Sequence, residues 1–386
     1  MSSNSLSRSR RAGFAAPGLA LSAFAVVLTL LVSCSPRFKP EGGSLLSFTE
    51  AGGGGIVLNL GRDAESVVGS WEDPSLAHFG LVEGVAKADG SLSLRFYGAV
   101  TALPVGSFAG SYRGGETGIE GKLAFGKAEP RPLSLALSPG PTAKLELRTV
   151  HRNTREGLPS TETDPTRYIY QGFEPSSPPA FRDFYRGTFQ GGKALKDIIE
   201  KEGEEFLADF KGTTAQLKEQ SREAQVRAWY YEGRQLLSYR SKGLMVMALR
   251  RGIYTGGESL SQALRFAVLD EERAALLGPG DFLVEGSEAK LPALIAASVR
   301  EELGLEEGKS LASEGFVSDE APSGGDFFVY SRGLGFHYAP GVFAPKETGE
   351  LFVLLPFERL AGLLKPETMS RFGLAAVSGG AGGGGK

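Results

Sequence analysis

The chain has 386 residues, with 42 Lys and Arg against 45 Asp and Glu, and a formal net charge of −3 at neutral pH. A mildly acidic balance without clustered Lys and Arg excludes the nucleic-acid-binding classes, which need a basic footprint. The single cysteine excludes a disulfide framework, so stability must come from apolar burial, and the length suffices for two ordinary domains.

Arg8, Arg10 and Arg11 precede an uncharged run over residues 12–33 that is most apolar at 19–31. A basic stretch, an apolar stretch and then small residues make a secretory signal, with the arginines held on the cytoplasmic side. Phe14 sits one place too late for a twin-arginine signal, so this is an ordinary Sec leader. Leu31-Val32-Ser33-Cys34 has the form of a bacterial lipobox. The expectation is a thioether-linked lipid on Cys34 carrying palmitate-type chains, with cleavage between Ser33 and Cys34. The competing reading is an uncleaved membrane span, which Gly13, Pro17 and Gly18 weaken. Loss of residues 1–33 removes three arginines and no acids, taking the formal charge from −3 to −6. Residues 34–43, with Pro36, Pro40, Gly42 and Gly43, form a tether.

A Gly-rich β region follows over residues 44–138, expected as a meander or partial barrel. Ala88-Asp89-Gly90 closes a hairpin. Residues 91–96 then alternate, so that Leu92, Leu94 and Phe96 share a face. Trp71 and His78 fall in a stretch read as loop, the one as ring packing and the other as a surface imidazole. Ser138-Pro-Gly-Pro141 marks a boundary, after which residues 143–374 form an α+β domain with an antiparallel sheet and two main helices. Strands are expected at 144–150, 167–173, 226–231, 235–239, 244–254 and 264–269, and Pro175, Pro178 and Pro179 impose an extended path. Leu195, Ile198, Ile199, Phe206, Leu207 and Phe210 make one helical stripe over 192–210, interrupted by Gly203. A second helix spans 288–303. Strands at 327–330, 334–338 and 350–355 lead to a short helix at 356–364 opened by Pro356. The glycine tail, residues 375–386, is read as flexible.

The sequence shows no catalytic constellation. His78, His151 and His337 lack the close spacing of zinc sites, so neither metal nor cofactor is expected. Asp270-Glu271-Glu272 offers adjacent carboxylates, a pattern commoner in solvated turns than in acid–base pairs. Gly380 to Lys386 matches G-x-x-x-x-G-K but lacks the Ser or Thr for Mg²⁺ and any following helix.

Three passages carry a family resemblance: Arg251-Gly-Ile-Tyr254-Thr255-Gly256-Gly257, the loop Gly278-Pro-Gly-Asp-Phe-Leu283 with its following helix, and Gly333 to Leu360. In order and wording, residues 144–371 resemble the extracytoplasmic part of RsiV-type anti-sigma factors, a module that also sits beside peptidoglycan deacetylase domains. Glu258-Ser259 stands where that family usually has a histidine, and Gly341 and Lys346 lie where it has tyrosines. The resemblance implies an outward-facing sensor of muramidase or a wall fragment. On it, Tyr254, Gly256, Gly257, Phe336, Tyr338 and Lys346 make the candidate binding surface. The expected function is a non-enzymatic, lipid-anchored module on the extracytoplasmic side of a bacterial envelope. An accessory domain or an enzyme of cell-wall hydrolysis or deacetylation, and a structural surface lipoprotein, are the alternatives.

Overall fold

The computed structural model describes residues 42–374 apart from 51–54, 64, 74–77, 99–103, 114–116, 139–142, 258, 307–308 and 324. The signal, Ser33, Cys34, most of the tether and the glycine tail therefore lie outside the described residues. Among those described, no helix is long and apolar enough to cross a membrane.

Eight strands run in antiparallel succession: β1 (Gly42–Glu50), β2 (Val57–Asp63), β3 (Ser66–Asp73), β4 (His78–Ala86), β5 (Ser91–Gly98), β6 (Pro104–Arg113), β7 (Gly118–Phe125) and β8 (Arg131–Leu137). The last returns to the first, with Phe48 opposite Leu137, so the meander closes into a barrel and leaves no free edge. The alternation in β5 turns Leu92, Leu94 and Phe96 inward as expected. Trp71 meets Phe96 edge-on at 5.4 Å, stacks on Phe125 at 5.0 Å and donates its indole N–H to the Tyr97 carbonyl at 2.9 Å. Large rings thus fill the barrel rather than lining a cavity. Trp71 and His78 lie in β3 and β4, not in loop. Alternation fails to reveal β3 because nearly all of it is buried, its inner face in the barrel and its outer face against a later strand.

β1 also pairs with β9 (Lys144–Thr154), joining the barrel to a second sheet. That sheet continues through β10 (Thr166–Ser177), β11 (Tyr230–Ser241), β12 (Leu244–Tyr254), β13 (Ser261–Asp270) and the short edge strand β14 (Ala275–Leu277). All its pairs are antiparallel except β10 with β11, which is parallel and so needs a long connection. Helices α1 (Pro179–Phe189) and α2 (Leu195–Glu219) supply it. The prolines conceal α1: Pro179 is its first residue, where a missing N–H costs nothing, and Phe181 and Tyr185 are buried one turn apart. α2 extends beyond the predicted stripe and lies on β9 and β10. Gly203 is needed there, because a Cβ would stand 2.9 Å from the Tyr168 ring.

The predicted strand at 235–239 and the last two residues of that at 226–231 belong to one strand, β11, while residues 226–229 precede it outside any strand. Glu232-Gly233-Arg234 reads as a turn, yet its charges are matched within the sheet. Arg234 bonds Glu232 and also donates to Glu83 of β4 at 2.8 Å. β12 lies in the interior of the sheet, between β11 and β13, with Leu244 and Val246 in one core cluster and Met245 and Met247 in another.

After α3 (Leu291–Glu302), β15 (Asp326–Tyr330), β16 (Gly333–Tyr338) and β17 (Leu351–Pro356) form a three-stranded antiparallel sheet. β15 lies against β13, and α3 against β17. The helix expected at 356–364 is a series of turns, and the last helix is α4 (Pro366–Phe372). Pro356 ends β17 instead of opening a helix, and Phe357, Leu360 and Leu364 enter the core from successive turns. Phe79 of the barrel stacks on Tyr330 at 5.2 Å, so the barrel and this sheet share a core.

Candidate binding cleft

The residues singled out from sequence do not converge. Tyr254 is half-buried at the end of β12, and Gly256 follows at φ +85°, a left-handed conformation, beneath Trp229. Gly257 faces open space without a positive φ. Phe336 and Tyr338 are core: every residue of β16 is buried, Tyr338 is 1% exposed, and its hydroxyl donates to the Pro322 carbonyl at 3.1 Å. Lys346 is exposed in a 3-10 turn of the loop after β16. Of the expected binding surface, Tyr254 at the end of β12 and Lys346 in the loop after β16 are the side chains left outside the core.

Strand pairing does bring Asp326 opposite His337, with Nδ1 3.5 Å from Oδ2 and Arg265 on the other carboxylate oxygen at 3.0 Å. Phe266 and Phe352 flank the imidazole, which is 2% exposed, and its Nε2 has no hydrogen-bond partner. An imidazole enclosed in this way cannot reach a substrate. Among the described residues, no group of three His, Cys, Asp or Glu is placed to hold a metal.

Asp270, Glu271 and Glu272 do not act as a carboxylate pair. Glu271 is buried with Arg240, whereas Glu272 is exposed. Asp270 is buried at the end of β13 and accepts from the Glu272 and Arg273 amides at 3.1 and 2.8 Å. It also accepts from Arg273 Nε at 3.0 Å and Arg371 Nη2 at 2.9 Å. Burial works against its ionisation, but the Arg273 amide and the two guanidinium groups outweigh that and hold the carboxyl below the usual aspartate range.

Those two arginines stand on the wall of a cleft of about 600 Å³ between the chain after β14 and helix α4. The apolar part of the lining is Leu277, Phe282 and Val284. Its polar part is Arg273, Arg371, Lys365 and Thr368, together with Asp281, Glu285 and Glu367. The walls are stitched together: Lys365 Nζ donates to the Gly280 carbonyl at 2.6 Å, and Thr368 Oγ1 to the Phe282 carbonyl at 2.9 Å. The Lys365 amide also reaches the Phe282 carbonyl, and the Val284 amide the Leu363 carbonyl. The Gly278–Leu283 loop that carries part of the family resemblance is thus one lip of the cleft. Sequence reasoning missed the cations, because Arg371 meets Arg273 only through Asp270, 101 residues away. The one local signal was Asp270-x-x-Arg273, a spacing that closes a side chain onto its own turn.

The volume falls within the range of small-molecule sites, but seven of the ten lining residues are polar or charged, more than such sites usually carry. The cleft can orient a polar ligand by charge. The sequence matches no protein-family model and no curated protein. Two solved structures of DUF3298 family members are similar. The one from Bacteroides fragilis has 17% identity over 58% of this chain and 96% of its own, with a TM-score of 0.49. The one from Pseudomonas aeruginosa has 16% identity over 58% of this chain and 95% of its own, with a TM-score of 0.39.

Proposed function

We propose that this protein is a binding module held on the extracytoplasmic face of a bacterial envelope by a lipid on Cys34, and that its ligand is a small fragment related to peptidoglycan. The observation that carries the reading is the cleft beside α4, where Asp270 fixes two guanidinium groups before any ligand arrives. Preorganised charge binds without first spending conformational entropy on ordering. A whole muramidase would need a broad surface with aromatic anchors. The rings of Phe336 and Tyr338, which resemblance assigned to that task, are inside the core, and this favours the small ligand. The basic leader and the lipobox support the location.

Equilibrium dialysis of the detergent-solubilised full chain against soluble muropeptides tests the reading. Saturable binding with about one site per chain is expected. No saturation up to millimolar muropeptide would end it.

A further inference from the structure

The cleft keeps its opposite charges apart. Glu367 and Arg371 lie four residues apart on α4, the spacing at which a Glu–Arg pair normally closes on a helix. Arg371 turns instead to Asp270, and among the described residues Glu367 has no ion-pair partner. Arg273 likewise gives its Nε to Asp270, while Glu285 on the same lining has no ion-pair partner among the described residues. A first-turn acid such as Glu367 is favourable at a helix start, which accounts for its presence there. It does not account for Glu285, which lies outside the helices. Nor does it account for a buried aspartate that draws both arginines away from the available carboxylates.

A purely anionic ligand in this cleft would meet Glu285 and Glu367, and a purely cationic one would meet Arg273, Arg371 and Lys365. A neutral sugar would have to strip water from charges it could not neutralise, which costs free energy. A molecule with a carboxylate and an ammonium group satisfies both sets. Each guanidinium retains N–H donors beyond the one given to Asp270, and a carboxylate is the group such a fork receives best.

We propose that the cleft selects a zwitterionic peptide, of the kind a peptidoglycan stem ending in diaminopimelate presents, over the glycan to which the stem is attached. This rests on the reading of the chain as a wall-fragment binder. The contacts that would do the selecting are a ligand carboxylate on Arg273 and Arg371, and a ligand ammonium on Glu285 and Glu367.

The test is calorimetric titration of the detergent-solubilised full chain with four probes: N-acetyl-L-Ala–D-Glu–diaminopimelate, the same peptide acetylated on the diaminopimelate side-chain amine, the same peptide with its diaminopimelate carboxylates amidated, and chitotetraose. Arg273, Glu285 and Glu367 are exposed, so Arg273→Gln and the double variant Glu285→Gln with Glu367→Gln should keep the fold. The tripeptide with its side-chain ammonium free should bind and chitotetraose should not, and acetylation of that amine or amidation should each weaken the tripeptide roughly tenfold or more, the range of a charge-assisted hydrogen bond. The double variant should lose the discrimination against acetylation, and Arg273→Gln the discrimination against amidation. If whole muropeptides bind but the tripeptide does not, or both variants bind and discriminate like the parent, the zwitterion proposal is overturned and the wall-binding reading stands. If no muropeptide binds, both fall.

Discussion

Glu271 and Glu72 are both buried carboxylates at places where the barrel joins the rest of the molecule, and their surroundings are opposite in kind. Glu271 is 2% exposed and fully matched. Arg240 gives it Nε at 2.8 Å and Nη2 at 2.9 Å, and the Ala143 amide donates at 3.0 Å. The same guanidinium bonds the Ala143 carbonyl, so the pair pins the chain where it leaves the barrel. Glu72, 7% exposed at the end of β3, has hydrogen bonds from Ser331, one carboxylate oxygen without a partner among the described residues, and the opposed charges of Lys242 and Asp73 acting on it. Burial dominates there and pushes its pKa up to about 6. Depth alone does not decide how a charge is tolerated. The number of donors brought to it does.

The largest expected effect is at the matched site. Glu271→Ala leaves the Arg240 charge buried and unpaired, which should cost about 3–5 kcal/mol in urea unfolding. Replacing both, as Arg240→Met with Glu271→Leu, should recover only part of the loss. The Ala143 amide and carbonyl would then lack partners, a penalty of about 1–3 kcal/mol for a buried polar group. Full recovery would mean the pair contributes nothing to the seam.

Glu72→Gln should act in the other direction. The folded-state pKa of about 6 lies above the ordinary 4.5, so folding favours the protonated form. The resulting stability is fully present below pH 4.5 and is lost as pH rises through about 6. Above pH 7 the charged carboxylate is a liability of about 2 kcal/mol, from roughly 1.4 kcal/mol per pKa unit. Glu72→Gln should therefore raise stability by about that amount at pH 8, change little at pH 4.5, and flatten the profile between. A variant less stable than the parent at pH 8 would show that the unpaired oxygen has a partner after all.

Parts of this contrast could be read from the sequence and parts could not. Period-two alternation in β5 and the apolar stripe of α2 announce themselves, because each element has one wet face. β3 hides because both of its faces are covered, and α1 hides behind prolines that suit a helix start as well as an extended path. Glu232-Gly233-Arg234 looks like a turn until Glu83 arrives from another strand. The cleft was illegible for the same reason, since Asp270 and Arg371 meet only in the folded chain. Tyr254-Thr255-Gly256-Gly257 was half legible. Gly256→Val should cost on the order of 1 kcal/mol or more because of its φ of +85°. Gly257→Val should stay within about 0.5 kcal/mol, since that position is open and not left-handed. Equal melting temperatures for the two variants would contradict this distinction.

The smallest effect tests the ordering itself. Asp270, with two arginines and two amides, is held below the usual aspartate range. Glu72, with a lysine that lowers its pKa through space only, is pushed above the usual glutamate range. If donor number sets the sequence, removing the lysine should extend it. Lys242 sits at φ +56° in the turn between β11 and β12, its ammonium 5.3 Å above the Phe372 ring. Lys242→Gln would take away that cation–π contact, worth about 0.5–1 kcal/mol near a surface, and the attraction on Glu72. The Glu72 pKa should then rise further above about 6, and the pH at which stability begins to fall should move up with it. Carbon-detected NMR titration of the Glu72 carboxyl reads the shift directly. In the Glu72→Gln background the same lysine change should leave the pH profile untouched and cost only the ring contact. A Glu72 titration unmoved by Lys242→Gln would mean that burial, Ser331 and Asp73 alone set its proton affinity, and that Lys242 serves the Phe372 ring and not the carboxylate.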